Sequence, residues 1–469
     1  MSISNISDHL SRTVKLAMDS GEAKTAEEAQ RIFEGYRLRI AVGPDISESP
    51  TRQAALLTAV NVARRCFLGG VEIVGGTDAE LLIPWRNCQT VAEAVRDLKG
   101  KLAEAPEATN DLPLIVIGDA ETGPHTSEFA VRATFDGWRG GVIPVDEQER
   151  LPERHEFTPA GVLAGALAVS EAFQFVRGRN IVAGRRRTGL SLWRPETSWL
   201  EDPGGREPDL EWLPAKLWLV GLGHLGQAYL WTLGFLPYDA PKEVSLVLQD
   251  YDTLAQSNDS TSPLTNDELI GRKKARAMAE WCEERGFQVR VYERRFASDF
   301  KVNDEEPRVA LCGVDNEAAR ACLEDVGFAQ MIEAGLGLGT EEYLAFQMHC
   351  FPSSRSARAR WGGSSTGKPV GSIVELPAYR NLAASGLDDC GLTQLAGRSV
   401  GACFVGTAVS TLVIAEVLRM CMGEKRYEVI DGSLRAVEHR TVVASGVAPS
   451  PFNPGRTKAT NFSRVRSAA

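Results

Sequence analysis

The chain has 469 residues, 43% of them hydrophobic and 24% charged, and a formal net charge of −10. That length exceeds one ordinary core and predicts more than one domain, with two large ones as the simplest division, while the balance excludes a disordered or fibrous chain. The negative charge argues against a broad nucleic-acid surface, which needs clustered Lys and Arg.

The first 35 residues read as helical, with Thr25 and Glu28 forming a capping box for a helix over 26–33, after a first helix that ends near Gly21. The opening MSISNISDHLSR has no apolar signal core, and no run in the chain approaches the roughly 20 apolar residues of a membrane span. A cytoplasmic protein with no membrane partner is therefore expected. Apolar patterning predicts a buried strand at 37–43, a helix at 51–70 and a strand at 71–76, which together make one βαβ unit. A second unit runs from a helix over 92–104 to the apolar strand 112–118, and 140–145 adds a short strand. After a linker at 147–157, a long apolar helix spans 158–175. The run Arg185, Arg186, Arg187 reads as a solvated loop. A stretch rich in Pro, Gly and charge at 195–212 marks the domain boundary.

The second half restarts on the same plan. A strand at 216–221 is followed by a Gly-rich turn, a helix through Gly234, a strand at 243–252, a helix at 272–285, and strands at 287–296 and 308–315. It also ends in a long apolar helix, 403–420. Gly161 and Glu171 of the first apolar helix match Gly406 and Glu416 of the second at one constant offset, which points to an internal duplication.

The segment VGLGHLG sets Gly221, Gly223 and Gly226 in GxGxxG spacing between a strand and a helix. Such glycines let the backbone turn tightly and approach a phosphate, which the N–H groups and dipole of the helix start attract. The spacing alone suits NAD, FAD, S-adenosylmethionine or ATP. The next strand ends in Asp250 and Asp252, placed to accept hydrogen bonds from ribose hydroxyls. Ser257 and Asn258 follow, and then Gly271, Lys273 and Lys274. A dehydrogenase has no need of a lysine there, whereas an adenylating site needs cations to steady the α-phosphate as pyrophosphate leaves. Asp315, just past a buried strand, is placed to hold Mg²⁺ together with phosphate oxygens.

The run from Val220 through DYDTLAQSND, IGRKKA and GVDNEAAR resembles the E1/ThiF/MoeB superfamily. The resemblance implies an α/β fold of two tandem Rossmann-like, ThiF-type domains, one inactive and one active in adenylation, arranged as a pseudo-dimer. It implies an inactive domain over 1–200, an active domain over 201–435 with a cysteine-bearing crossover region at 351–401, and a C-terminal strand and tail at 436–469. It carries Gly221, Gly223, Gly226, Asp250, Asp252, Asn258, Lys274 and Asp315 over as ATP and Mg²⁺ contacts. Lys274 is preferred to Lys273 because it directly precedes the alanine of the family's Lys-Ala pair. The family's arginine three residues after the Asn is missing, and Thr261 stands in its place. In the family's dimers another arginine arrives from the partner's N-terminal helix, and Arg12 matches that placement.

Nine cysteines, an odd number with no CxxC pair, read as reduced thiols and give no signal for zinc. Cys66, Cys282 and Cys322 fall in helical stretches and Cys312 in a buried strand, where small core residues are expected. Cys390, in the glycine-flanked segment GLDDCGLTQLAG, reads as lying in an irregular loop of the stretch 351–401. CGLTQLAGRSVGACFVG is similar to ThiF-type proteins of bacterial ubiquitin-like conjugation operons of the Bil and related antiphage type, which makes Cys390 the expected nucleophile and Cys403 the rival. The adjacent Asp388 and Asp389 repel a thiolate, so activation falls to the nearby helix start or to Arg398.

In the first half the corresponding turn reads VGPDISESPTRQ, where Pro44, Asp45 and Glu48 crowd and repel a phosphate, so this half is expected to bind no nucleotide. The resemblance then implies an E1-like enzyme that uses ATP and Mg²⁺ to adenylate a ubiquitin-like β-grasp protein, captures it as a thioester and passes it to an E2-like partner. The alternatives are a sulfur-carrier or peptide adenylyltransferase without thioester transfer, and a catalytically silent scaffold. A further pairing of two chains is consistent with the resemblance.

Overall fold

The computed structural model describes residues 6–103, 111–121, 127–147, 149–201, 207–363, 373–447 and 454–460. Residues 448–453 and 461–469 of the expected tail, 202–206 of the expected domain boundary and 364–372 of the expected crossover region lie outside them. Seven strands of the first half are β1 (Arg37–Val42), β2 (Gly70–Gly75), β3 (Lys101–Ala103), β4 (Leu114–Ile117), β5 (Ala130–Asp136), β6 (Arg139–Pro144) and β7 (Thr188–Ser191). They form one sheet in the order β3-β2-β1-β4-β5-β6-β7. After a short β8 (Trp212–Leu213) come β9 (Lys216–Val220), β10 (Ser245–Gln249), β11 (Gln288–Tyr292), β12 (Val309–Cys312), β13 (Gln330–Leu336), β14 (Ala345–Phe351), β15 (Tyr427–Ser433) and β16 (Thr441–Ala444). Their order is β11-β10-β9-β12-β13-β14-β15-β16. β17 (Thr457–Lys458) pairs with β8.

The two sheets share one topology. In each, the first five strands in chain order are parallel neighbours and the sixth and seventh turn antiparallel. β16 is the one addition. Parallel strands buried on both faces read as unbroken apolar runs, as β4 and β12 do. The matched residues of the two long helices do matched work. A Cβ at Gly161 would lie 2.1 Å from Thr51 O, and one at Gly406 would lie 2.4 Å from His224 Nε2, so each glycine admits the start of the α-helix that follows the first sheet strand of its half, β1 or β9. Glu171 accepts from Gly184 N at 2.9 Å and Glu416 from Tyr427 N at 3.1 Å, each carboxylate tying its helix to the chain entering β7 or β15. The duplication expected from the constant offset is thus present in three dimensions.

The helices Thr158–Val176 and Cys403–Cys421 are 19 residues each, with mean hydropathies of 1.4 and 1.6. By length and composition both could cross a membrane, contrary to the expectation that no such run exists. Both are buried in the protein, against each other and against the helices Pro50–Ala63 and His224–Gly234, so an all-round apolar surface has its explanation in the core. Phe173 and Phe404 meet there with ring centroids 5.5 Å apart. Trp231 Nε1 donates to Thr58 Oγ1 at 2.9 Å across the same seam.

Four other expectations fail for local reasons. The helix expected over 92–104 stops at Asp97, because Lys99 adopts φ 63 and the chain enters β3. β5, β7, β13, β14 and β15 were not expected. The stretch 351–401 is not irregular, for it holds the helices Ala357–Trp361, Pro377–Ala384 and Asp389–Gly397. The arginine run is not merely solvated: Arg186 pairs with Glu171 at 3.3 Å and Glu438 at 2.7 Å, and Arg187 pairs with Glu147.

The N-terminal segment crosses to the second half. Arg12 N donates to Ser260 Oγ at 3.0 Å, Thr13 Oγ1 to Gly401 O at 2.9 Å, and Asn381 Nδ2 to Lys24 O at 2.7 Å. The short helix Ile6–His9 packs against both Gln256–Asp259 and Asp389–Gly397.

Candidate functional site

At the C-terminal end of β9 the chain turns through Gly221 at φ 82, a conformation that side chains disfavour, and enters the helix His224–Gly234. Gly226 lies one helical turn on, and a Cβ there would stand 1.9 Å from Gly221 O. Gly223 faces open space, with no atom within 4 Å of the position its Cβ would take. The loop is fastened from the next strand. Asp250, just past β10, accepts from Leu222 N at 2.7 Å and from Asp252 N at 2.8 Å, so its carboxylate holds the loop and its own turn together.

Asp252 pairs with Lys274 Nζ at 3.0 Å, and its carbonyl accepts from Lys274 N at 3.0 Å. Lys273 points elsewhere, with Nζ donating to Tyr251 O at 2.7 Å. Lys274 begins the helix Lys274–Glu284 and is buried. Asn258 Oδ1 accepts from Ala255 N at 2.9 Å, closing the turn that carries Ser260 and Thr261. Asp315 follows β12 and is exposed.

Thr261 is 4% exposed. A Cβ on Gly401 would lie 3.4 Å from Thr261 Cγ2, so the segment leading into the last apolar helix covers it. Two arginines stand close by. Burial, and then the neighbouring Arg398, pull the Arg12 guanidinium below its ordinary value, while Asp315 and Asp8 act the other way. Arg398 Nη2 pairs with Asp8 at 3.1 Å. Among the described residues, the buried Nε atoms of both arginines find no hydrogen-bond partner. His224 lies beneath, its Nε2 3.4 Å from Cys403 O, and burial lowers its pKa to about 4, so the ring is neutral at neutral pH. Arg398 and His224 both neighbour Arg12, and neither was singled out as a nucleotide contact from the sequence. His224 stood inside VGLGHLG and could have been noticed there.

The arrangement gathers the glycine loop, Asp250, Asp252, Lys274, Asn258, Asp315 and Arg12 at one end of the second sheet. It offers an anion free backbone N–H groups and several cations. Cys390 is in the first turn of the helix Asp389–Gly397, whose cap Asp388 accepts from Gly391 N at 2.8 Å; it is not in a loop. Among the nine cysteines it is the exposed one. Among the described residues, no hydrogen bond joins it to the glycine loop. Cys403 is buried and its thiol is pushed up by that burial, against the pull of Arg65; burial likewise raises the thiols of Cys66, Cys282, Cys312 and Cys350.

The equivalent place in the first half is filled from within. The Asp45 carboxylate accepts from Asp119 N at 2.8 Å and pairs with Arg52 at 3.1 Å. It lies where a Cβ on Gly118 would be 2.2 Å and one on Gly43 2.4 Å from its Oδ1. A carboxylate over the turn repels an incoming phosphate.

Comparison with known proteins fits this geometry. Family models of the BilD N-terminal domain and the BilD C-terminal domain match residues 37–192 and 213–424. The bacterial E1-like protein BilD of Collimonas sp. (strain OK412) is 42% identical over 457 residues, covering 96% of this chain and 97% of that protein. The chain belongs to the BilD family. Among solved structures, the E. coli tRNA N6-threonylcarbamoyladenosine dehydratase TcdA, in complex with ATP, is 15% identical with a TM-score of 0.28, over 45% of this chain and 86% of that one. E. coli MccB is 12% identical with a TM-score of 0.31, over 68% and 93%. Likeness of that degree does not speak to the activity of a BilD-family chain, for which the residues of the second half are the guide.

Proposed function

We propose that the second half binds ATP and adenylates the C-terminal carboxylate of a small ubiquitin-like, β-grasp protein, and that Cys390 then takes the acyl group for transfer to an E2-like partner. In this reading residues 1–200 form a half without nucleotide, 201–435 the adenylating half with its crossover region at 351–401, and the whole acts in bacterial antiphage defence. The observation that carries it is the convergence of the glycine loop, the Lys274–Asp252 pair, Arg12 and Asp315 at one sheet end of a chain in the BilD family of E1-like proteins.

The loop N–H groups and the helix start receive the phosphates, and Asp250 and Asp252 face the ribose. A carboxylate oxygen of the small protein attacks the α-phosphorus, the bond to the bridging oxygen breaks, and pyrophosphate leaves; Lys274 and Arg12 counter the negative charge that builds on the phosphate oxygens. The Cys390 thiolate then attacks the acyl carbon and AMP departs. Among the described residues no cluster of three His, Cys, Asp or Glu side chains forms. A Mg²⁺ ion at Asp315 would therefore take one carboxylate from the chain and its other oxygens from phosphate and water, as Mg²⁺ commonly does.

The test is incubation with ATP, Mg²⁺ and candidate β-grasp proteins, followed by pyrophosphate exchange and a non-reducing gel. Exchange together with a thiol-sensitive adduct that vanishes in Cys390→Ala is the expected result. Exchange with an adduct that survives Cys390→Ala moves the thiol role to another cysteine, and exchange without any adduct removes it.

A further inference from the structure

We infer that Arg398 is a second phosphate-binding arginine: with Arg12 it forms a two-guanidinium clamp over the glycine loop, held in the nucleotide-free state by Asp8. The inference rests on the adenylating reading of this site. It starts from Arg398 at the C-terminal cap of the Cys390 helix, where its Nη2 pairs with Asp8 at 3.1 Å and its Nε is buried with no acceptor. Arg12 Nε is orphaned in the same way. The two guanidiniums are close enough to oppose each other's charge, and the acids that act on Arg12 against that, Asp315 and Asp8, are both substantially exposed. Two buried Nε donors that lack acceptors among the described residues, on neighbouring cations whose nearby acids are largely exposed, describe a place that would take an oxyanion.

The backbone fixes the clamp at this spot. Arg12 N is tied to Ser260 Oγ, Thr13 Oγ1 to Gly401 O, and Gly401 lies against the Thr261 methyl. Thr261 therefore has no room to carry a long side chain into the site, and the chain passing over it delivers Arg398 instead. His224 faces the same space and stays neutral at neutral pH, so it adds no competing cation. Bidentate guanidinium binding suits a polyphosphate better than the single phosphate of AMP, because two forks need several oxygens.

Isothermal titration of the full chain with Mg·ATP, AMP and inorganic tripolyphosphate tests this. Arg398→Ala should lose at least about tenfold in affinity for ATP and for tripolyphosphate, the scale of one charge-assisted contact, with AMP affinity within about twofold. Arg398→Lys should recover part of the loss, and Asp8→Asn, which frees the guanidinium, should tighten ATP binding. Arg398→Ala that binds ATP as tightly as the unaltered chain overturns the inference. If that variant does not fold, Asp8→Asn decides: unchanged or weaker ATP binding overturns it. An unaltered chain that binds neither ATP nor tripolyphosphate overturns the adenylating reading itself, and this inference with it.

Discussion

Each glycine of the loop can be tested separately, because the space around them differs. A methyl at Gly226 meets Gly221 O at 1.9 Å, so Gly226→Ala must break the loop to fit; a loss of about 1–3 kcal/mol in stability and of nucleotide binding is expected, measured by urea unfolding and titration. Gly223→Ala meets no protein atom within 4 Å. It should cost about 1 kcal/mol or less yet abolish ATP binding, since the methyl stands where the phosphate approaches. If Gly223→Ala binds ATP normally, the loop is not the phosphate site. His224 makes a prediction of the other kind. Its folded pKa is lowered from 6.5 to about 4 by burial. Above pH 6.5 neither state is protonated and the contribution is complete. Between 6.5 and 4 the unfolded chain binds a proton that the folded chain refuses, so stability falls with falling pH, by at most about 3 kcal/mol. The same melts with His224→Gln should have a shallower slope in that window. What could be read at this scale without the fold was the motif chemistry: VGLGHLG and IGRKKA named the loop and the lysine. Arg398 and Asp8 could not be found as a pair, because 390 positions separate them and only tertiary packing brings them together.

Among the elements, the helix Asp389–Gly397 matters most to function. Its glycines, Gly391 and Gly397, suggested a loop, since Gly is a poor interior helix residue. The Asp388 cap and the burial of Leu392, Leu395 and Ala396 outweigh that preference. A similar reversal occurs at β3, where a run of good helix formers ends at Lys99 because a three-residue edge strand pairs with β2. Strands β5 and β7 escaped notice for a different reason. β5 mixes Arg, Thr and Asp with its apolar residues and ends in a tight turn to β6, and β7 carries Thr, Gly and Ser, so neither shows a strong apolar period. Most of the parallel strands and the two buried helices, by contrast, were evident from their apolar runs, whereas β13, β14 and β15, seven residues each, were not, because Gln, Glu, His and Asp interrupt them. The position of Cys390 on an exposed first turn predicts its reactivity. In the folded protein iodoacetamide should label Cys390 rapidly, while Cys403, buried and with its thiol raised, should react only after denaturation. Mass mapping of labelled peptides decides this; rapid native labelling of Cys403 would restore it as the rival nucleophile.

For the molecule as a whole, the duplicated halves share one seam, and the second half's site is built on it. Arg65 is the centre of that seam. Its guanidinium pairs with Asp259 at 2.9 Å and donates to Pro263 O at 2.9 Å and Thr265 O at 3.1 Å, with a side chain 1% exposed. Burial lowers its pKa to about 10, which leaves it charged at neutral pH. Asp259 is the neighbour of Asn258, and the same turn carries Ser260, which holds Arg12 through its backbone. A residue of the first half therefore supports the second half's site without entering it. Removing it takes away several of these bonds at once, although Arg64 still pairs with Asp259 at 2.9 Å and Asn61 Nδ2 still donates to Pro263 O at 2.9 Å. Arg65→Met should cost about 1–3 kcal/mol, the range for lost hydrogen bonds to a charged group, because Arg64 keeps Asp259 paired, and it should weaken ATP binding although Arg65 is outside the proposed nucleotide contacts. Calorimetry should show one unfolding transition for the intact chain, since a continuous core spans both halves. Two separated transitions, or an Arg65→Met variant that keeps full ATP affinity while losing stability, would show that the halves are energetically independent and that the first half does no more than cover the second.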